Sequence, residues 1–261
     1  MRVIFLKILK IFNFNFKIKH HYTGFNFELN SYLHKGYWFY GKKREFNTVQ
    51  NFLKLIKPGD TIIEIGGHIG YFSTLFMKIA GAQGAVFVFE PSKENLAYLK
   101  KNVDNLPENL GSKVRIVEKG VGDLSGVLDF YLDPITGQNN SFVQDFDGFY
   151  ANRKFSADKN AELIKVQVPI VQLDEYLSSD DQCPNFVKID VEGFELNVVR
   201  GMTKTIEKYS PAIMIEIQKD EEAIIQYFLN IGYSVYNDEF KLIRSFNEYY
   251  DLKTPNLFFV K

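Results

Sequence analysis

Apolar residues recur along this chain in two alternating rhythms. Phe46, Val49, Phe52, Leu53 and Ile56 fall at helical spacing within residues 44–57, which predicts an amphipathic helix. Pro58-Gly59-Asp60 ends it with a turn. Short apolar runs then predict strands over residues 61–65, 85–90, 114–119, 164–171, 185–190 and 212–217. Helical patterns separate them at 69–80, 92–103 (with Ser92 as N-cap), 173–177, 194–199 and 221–231. Residues 127–132 read as an edge strand or an antiparallel insert. Residues 233–237, 241–245 and 256–260 read as closing strands. Alternating strands and helices predict an α/β, doubly wound, mostly parallel sheet, and the closing strands predict an antiparallel edge.

Two stretches break the rhythm. Residues 1–43 form an aromatic and basic lead-in that holds the chain's one tryptophan, Trp38. Residues 133–161 are polar and aperiodic, a loop length that is usually functional or disordered. They are expected to be an insert in a domain spanning 44–261. Within residues 1–19, Arg2, Lys7, Lys10, Lys17 and Lys19 interrupt the apolar runs too often for a membrane span, and no small-residue cleavage site follows. One reading lays this segment weakly on an anionic membrane surface. The favoured one packs it on the domain as a helix and a strand, with Phe12, Phe14 and Phe16 alternating as a half-buried strand.

Composition narrows the class. The 261 residues, 46% hydrophobic and 24% charged, suit one soluble α/β domain. A net charge of −1 gives no case for a nucleic-acid partner. The single cysteine, Cys183, excludes an intrachain disulfide and a multi-cysteine metal centre, and fits a reducing, cytoplasmic setting. His20, His21 and His34 are too scattered to form a metal site, and none is expected. Oligomeric state is not readable.

The chemistry concentrates at strand ends. Thr61 to Ile65 runs into Gly66, Gly67, His68 and Gly70 before a helix. A strand–glycine turn–helix unit puts free backbone N–H groups at a helix N-terminus facing a ligand. Glycines at 66 and 67 let the backbone pass against that ligand. The spacing is only an offset version of the dinucleotide fingerprint G-x-G-x-x-G. Glu64 beside the turn would repel a pyrophosphate but suit a sulfonium and an α-amino group. That favours S-adenosylmethionine as cofactor. Glu90, about twenty positions on, suits ribose hydroxyls, or alternatively the dipole of the helix it precedes. Asp123 after the third strand suits the adenine amine, with Val121 near the ring, or is a plain turn aspartate.

Phe186 to Glu195 ends an apolar strand in Asp190, Glu192 and Glu195, with Lys188 inside the strand. Ligands of open α/β sheets bind at the carboxyl ends of strands, so Asp190, Glu192 and Glu216 should meet at one crevice. Lys188 is expected to pair with Glu64 or Glu216. His68 is read either as a turn residue bonding its own backbone or as a base near the reacting centre. Asn139-Asn140-Ser141 fits a glycosylation sequon, discounted without a secretory signal.

These segments resemble the FkbM-type methyltransferases. The matching stretches are Glu64 to Gly70, Phe89-Glu90-Pro91 with Asn95, Gly122-Asp123, Leu173-Asp174, Lys188 to Glu195 with Gly201, and Pro211 to Glu216. They cover roughly residues 45–217 in order, and Lys188 to Glu195 is the most specific part. The resemblance implies a Rossmann-like, class I, seven-stranded sheet and S-adenosylmethionine-dependent O-methyl transfer to a hydroxyl of a sugar, glycan or related metabolite. It implies cofactor contacts from Glu64, Gly66, Gly67, His68, Gly70, Glu90, Asp123 and Asp190. Catalytic roles fall to Asp190, Glu192 and His68, and acceptor contacts to Asn139, Ser141 and Glu216. A divalent metal on Asp190 and Glu216 is not required. The family pattern is Asp-x-Gly-Ala-Asn-x-Gly, where this chain has Glu64, Gly67 and His68 for Asp, Ala and Asn. Two other classes stay in view: a methyltransferase-like binding module without catalysis, and a nicotinamide-dependent oxidoreductase.

Overall fold

The computed structural model describes residues 2–107, 110, 113–156, 159–177, 183–252 and 255–261. The chain opens with α1 (Arg2–Ile11), the hairpin β1 (Asn15–Lys19) and β2 (Asn26–Asn30), and α2 (Lys35–Tyr40). Then come α3 (Phe46–Leu55), β3 (Thr61–Ile65), α4 (Tyr71–Ala80), β4 (Ala85–Phe89), α5 (Lys93–Asp104) and β5 (Lys113–Val117). A middle section holds β6 (Gly120–Val121), β7 (Gly126–Leu132), α6 (Asp147–Phe155), β8 (Ile164–Val171) and α7 (Leu173–Leu177). The last part is β9 (Phe186–Ile189), α8 (Glu195–Arg200), α9 (Thr203–Tyr209), β10 (Ala212–Glu216), α10 (Glu221–Asn230), β11 (Ser234–Tyr236), β12 (Leu242–Ile243), α11 (Phe246–Leu252) and β13 (Asn256–Val260).

The main sheet runs β12-β11-β13-β10-β9-β3-β4-β5. Strands β10, β9, β3, β4 and β5 are parallel, and β13, β11 and β12 pair antiparallel at one edge. This is the expected doubly wound, mostly parallel sheet, with the two-residue β12 added to seven longer strands. Side chains alternate between its faces. Ile63, Ile65, Phe87, Phe89, Val187, Ile189, Ile213 and Ile215 bury on one face. Ile62, Val86, Val88, Phe186 and Met214 bury on the other. There, Phe52 of α3 packs edge-on to Phe76, Phe186 and Phe258. Burying one such ring stabilises the fold by about 1.5–3 kcal/mol.

Register brings the strand ends level. Ile65 pairs with Phe89 and Ile189, and Ile189 pairs with Ile215. The next residues, Gly66, Glu90, Asp190 and Glu216, therefore line up along one edge. Glu64 and Lys188 are register partners on the same face.

The middle section builds a second sheet, β6-β8-β7, in which β7 and β8 are antiparallel. The alternative of an antiparallel insert for residues 127–132 is the one found. The 133–161 stretch contains α6, anchored by buried Phe149; its residues 157 and 158 lie outside the described residues. Helices α9 and α11 were absent from the sequence pattern.

The lead-in packs on the domain through Phe27, Leu29 and Tyr37 against Ile69 and Tyr71. The Asn102 side chain accepts from the Glu28 N–H (2.6 Å) and donates to the Glu28 and Ile69 carbonyls (both 2.9 Å). The expected half-buried strand through Phe12, Phe14 and Phe16 is not what forms. Strand β1 starts at Asn15, and Phe12 and Phe14 are 69% and 58% exposed, because pairing with β2 begins only at the Asn15–Asn30 register pair.

Candidate active site

The level strand ends open into one pocket. Its floor comes from Glu64 and Ile65 of β3 with Gly66, Gly67 and His68 just beyond, Phe89 and Glu90 at the end of β4, Lys188 of β9 with Asp190, Val191 and Glu192 after it, and Met214 and Glu216 of β10. Tyr37 of the lead-in, with Arg44 and Glu45 just after it, forms one wall. Gly120, Val121, Phe130, Gln138, Asn140 and Phe142 form another.

The glycine turn is pinned from several sides. Gly66 has a φ of +86°, and an added Cβ would lie 1.8 Å from the Asp190 carbonyl oxygen. A Cβ on Gly67 would lie 2.3 Å from Val88. Contacts within the protein, with Asp190 after β9 and Val88 of β4, already demand glycine at both positions. Gly70 begins α4 against Leu99 and does not line the pocket.

The expectation of free N–H groups is corrected as well. Gly66 and Gly67 donate to the Phe89 carbonyl (3.0 and 3.1 Å), His68 to Glu90 Oε2 (2.7 Å) and Gly70 to the Gly67 carbonyl (2.9 Å). Four of the turn's donors are spent within the protein, so the turn offers no ready cradle for a phosphate.

Charge at the pocket is lopsided. Glu45, Glu64, Glu90, Asp190, Glu192 and Glu216 line it, against Arg44 and Lys188. Burial pushes Glu64 and Glu90 up to about 7, although Lys188 and several hydrogen bonds pull them down. Glu192 and Glu216 are raised by burial and by the nearby Asp190. Lys188 Nζ donates to the Gly66 carbonyl and Asp190 Oδ2, both at 3.1 Å, and lies 3.9 Å from Glu64 Oε1. Burial would lower its pKa, but Asp190 and Glu64 hold it above the usual value. Glu64 also accepts from Ser73 Oγ.

His68 adopts φ +47° and Glu192 φ +55°, left-handed conformations rare for residues with a side chain. Such strain clusters at functional sites. His68 Nδ1 shares a 3.0 Å hydrogen bond with the Tyr37 hydroxyl, and its Nε2 is buried without a partner. The guanidinium of Arg44 sits 4.7 Å from the Tyr37 ring centre, with Nε 3.4 Å from Glu45 and Nη2 donating to Gln138 (3.3 Å).

Of the residues expected here, Glu64, Gly66, Gly67, His68, Glu90, Asp190, Glu192 and Glu216 meet at the pocket. Four others do not, Gly70 among them. Asp123 turns away to accept from Asn197 Nδ2 (3.1 Å), while Val121 does line the wall. Asn139 donates to Asp133 (2.8 Å) inside its own loop. Ser141 donates to the Glu192 carbonyl (2.6 Å). It thereby holds the left-handed Glu192 from behind, outside the pocket lining. Tyr37, Arg44, Glu45 and Gln138 were missed. The density of aromatics in the lead-in was the one available hint.

Comparison with known proteins follows the same segments. A model of the Methyltransferase FkbM domain matches residues 64–235. "Methyltransferase 1" of Beauveria bassiana (strain ARSEF 2860) is 30% identical over 155 residues, 56% of this chain and 59% of that protein. "Hexuronic acid methyltransferase AglP" of Haloferax volcanii is 26% identical over 173 residues, 66% of this chain and 62% of that protein. The matches thus span about three fifths of these curated relatives. The crystal structure of Methyltransferase FkbM from Methylobacillus flagellatus KT aligns at a TM-score of 0.49 and 16% identity, over 83% of this chain and 54% of that chain. The family match runs from Glu64 at the end of β3 to Val235 in β11, more than half of the sequence, and the chain belongs to the Methyltransferase FkbM domain family.

Proposed function

We propose that the protein is an S-adenosylmethionine-dependent O-methyltransferase whose acceptor is a hydroxyl of a sugar, glycan or related polyhydroxylated metabolite. One observation carries the cofactor: six carboxylates line the pocket against two cations, beside a turn in which the N–H groups of Gly66, Gly67, His68 and Gly70 are spent. A sulfonium and an α-amino group relieve that excess charge, and a pyrophosphate would add to it. The nicotinamide alternative fits poorly for this reason.

S-adenosylmethionine, when bound, supplies an electrophilic methyl group on a positively charged sulfur. Glu90 would hold ribose hydroxyls, and the wall around Val121 would border the adenine. The Gly66–Gly67 backbone and Asp190 would border the methionine part, with Asp190 oriented by Lys188. Glu192, raised above the ordinary carboxylate range, would take the proton that the acceptor hydroxyl loses as its oxygen bonds to carbon. A base is most useful when its pKa approaches the working pH. Neutral His68, steadied by Tyr37, would shape the site between them. Positioning supplies most of the acceleration.

The sugar acceptor is supported by the printed name of one relative, a hexuronic acid methyltransferase. Arg44 adds to it. The Lys188 side chain is 2% exposed, whereas that of Arg44, though 3.4 Å from Glu45, is 29% exposed, so Arg44 is the lining cation that an acidic sugar would meet.

Calorimetry with S-adenosylhomocysteine, with NAD and ATP as controls, tests the reading on wild type and Glu90→Ala. Selective binding is expected, weakened by about 1.5–3 kcal/mol in the variant through lost charge-assisted hydrogen bonds. Binding of NAD instead would establish the oxidoreductase. Binding of S-adenosylhomocysteine without transfer to any acceptor would favour a non-catalytic module.

A further inference from the structure

The lead-in presents large apolar side chains to solvent. Ile8, Ile11, Phe12 and Phe14 are 50%, 77%, 69% and 58% exposed. Ring contacts continue this surface from Phe14 to Phe16 (5.5 Å), on to Trp38 (6.4 Å), to Phe39 (6.2 Å) and to Tyr40 (5.1 Å). Phe39 and Tyr40 are exposed too. An apolar surface running from the end of α1 across the start of β1 to the end of α2 marks an interaction site.

Charge identifies the partner. Residues 1–27 hold Arg2, Lys7, Lys10, Lys17 and Lys19 and no acidic residue. Lys7, Lys17 and Lys19 are exposed, as are Lys42 and Lys43 just beyond α2. The whole chain carries a net charge of −1, so this positive charge is local. A second copy docked here would set lysine against lysine, which opposes association. The headgroup zone of an anionic bilayer suits both halves of the surface: rings and aliphatic chains enter the interface, and ammonium groups meet lipid phosphates and carboxylates. At ten residues, α1 is too short to span a bilayer.

We propose that residues 2–19 and the end of α2 dock this protein on an anionic lipid bilayer. Helix α2 links that surface to the pocket. Its Phe39 and Tyr40 are exposed while Tyr37 is buried, lines the pocket and bonds His68. Docking sets the lead-in wall of the pocket close to the membrane. The inference does not depend on the reaction, so its failure leaves the methyl-transfer reading standing.

The test is co-sedimentation of the full chain with phosphatidylcholine vesicles, with and without about 30 mol% phosphatidylserine, at about 0.1 M and about 0.5 M salt. Binding is expected to the anionic vesicles only, and to weaken about tenfold or more at high salt. A Phe12→Ser/Phe14→Ser variant should bind about tenfold more weakly yet keep its melting temperature, since both rings are exposed. Lys7→Gln/Lys19→Gln should lose about fivefold per charge. Three results would overturn the proposal. The chain stays in the supernatant with anionic vesicles, or the phenylalanine variant binds as well as wild type, leaving only charge adsorption. Alternatively, light scattering finds a dimer that the phenylalanine variant dissolves, which assigns the surface to a second copy.

Discussion

The hydroxyl of Tyr37 and Nδ1 of His68 share a hydrogen bond of 3.0 Å, and their rings lie nearly parallel at 5.9 Å. Tyr37 stands outside the family match and His68 stands in its glycine turn, so this bond ties the lead-in to the most constrained loop of the domain. Burial keeps the imidazole well below its ordinary pKa and pushes the phenol up to about 12, so both groups are neutral at pH 7. Tyr37→Phe removes the partner of a buried ring nitrogen. Unfolding free energy in urea should drop by about 1–3 kcal/mol, with an unchanged circular dichroism spectrum. A drop below about 0.5 kcal/mol would mean that water replaces the hydroxyl at no cost.

The buried carboxylates make ligand-free stability depend on pH. Burial raises Glu64, Glu90 and Glu195 to about 7, and raises Glu45, Glu192 and Glu216 as well. The folded state thus holds protons that the unfolded chain releases above 4.5, and stability is lost as pH climbs through the folded values. Four histidines act in the opposite sense, with His21 lowered by burial as well. Burial lowers His20 to about 4, His34 to about 3 and His68 well below 6.5, so their contribution grows with pH and is complete just above 6.5. Above that point only the carboxylates act. Melting temperature should therefore fall between about pH 6.5 and about pH 8, and S-adenosylmethionine should offset part of the fall. A melting temperature that rises over this window would show the carboxylates already ionised at its lower end.

The acidic strand ends were readable because parallel register does the aligning. Once Thr61–Ile65, Ala85–Phe89, Phe186–Ile189 and Ala212–Glu216 are strands of one sheet, Glu64, Glu90, Asp190 and Glu216 have nowhere else to meet. Tyr37, Arg44 and Glu45 were not readable, since they arrive by docking of the lead-in through Phe27, Leu29 and Ile69, contacts that no local spacing announces. Asn139 and Ser141 misled for a related reason. A polar loop can satisfy its own side chains, and here Asp133, Thr136 and the Glu192 carbonyl absorb them. Asp123 follows β6 of the second sheet, six residues beyond the end of β5 at Val117, and Asn197 on α8 donates to its carboxylate. The glycines at 66 and 67 have a reason that local spacing does not announce: Asp190 and Val88, brought alongside by the sheet, exclude a Cβ there.

Lys188 is the counter-charge that keeps this pocket folded. Its side chain is 2% exposed, between Asp190, Glu64 and the Gly66 carbonyl. Lys188→Met leaves two carboxylates uncompensated and one carbonyl without its donor. Breaking a buried ion pair from one side costs about 3–5 kcal/mol. Because Glu64 can take a proton once its partner is gone, the loss should be smaller at acidic pH. Urea midpoints at about pH 5.5 and about pH 8 check this, with the larger deficit expected at the higher value. An equal deficit at both would mean that Lys188 acts by packing alone.

Arg44 separates recognition of the acceptor from recognition of the cofactor. Its guanidinium sits over Tyr37, the partner of His68, and reaches Gln138 across the pocket wall. If the acceptor is an acidic sugar, Arg44→Gln removes a charge-assisted contact of about 1.5–3 kcal/mol, a roughly tenfold to hundredfold rise in KM for a glucuronoside. The KM for the matching neutral glucoside, which has no carboxylate, and the affinity for S-adenosylhomocysteine, whose α-carboxylate is proposed to lie with the methionine part at the Gly66–Gly67 backbone, should stay within about twofold. An equal rise for acidic and neutral sugars would reduce Arg44 to a residue that shapes the wall. A loss of S-adenosylhomocysteine binding would move Arg44 to the cofactor side of the pocket and return the acceptor's charge to an open question.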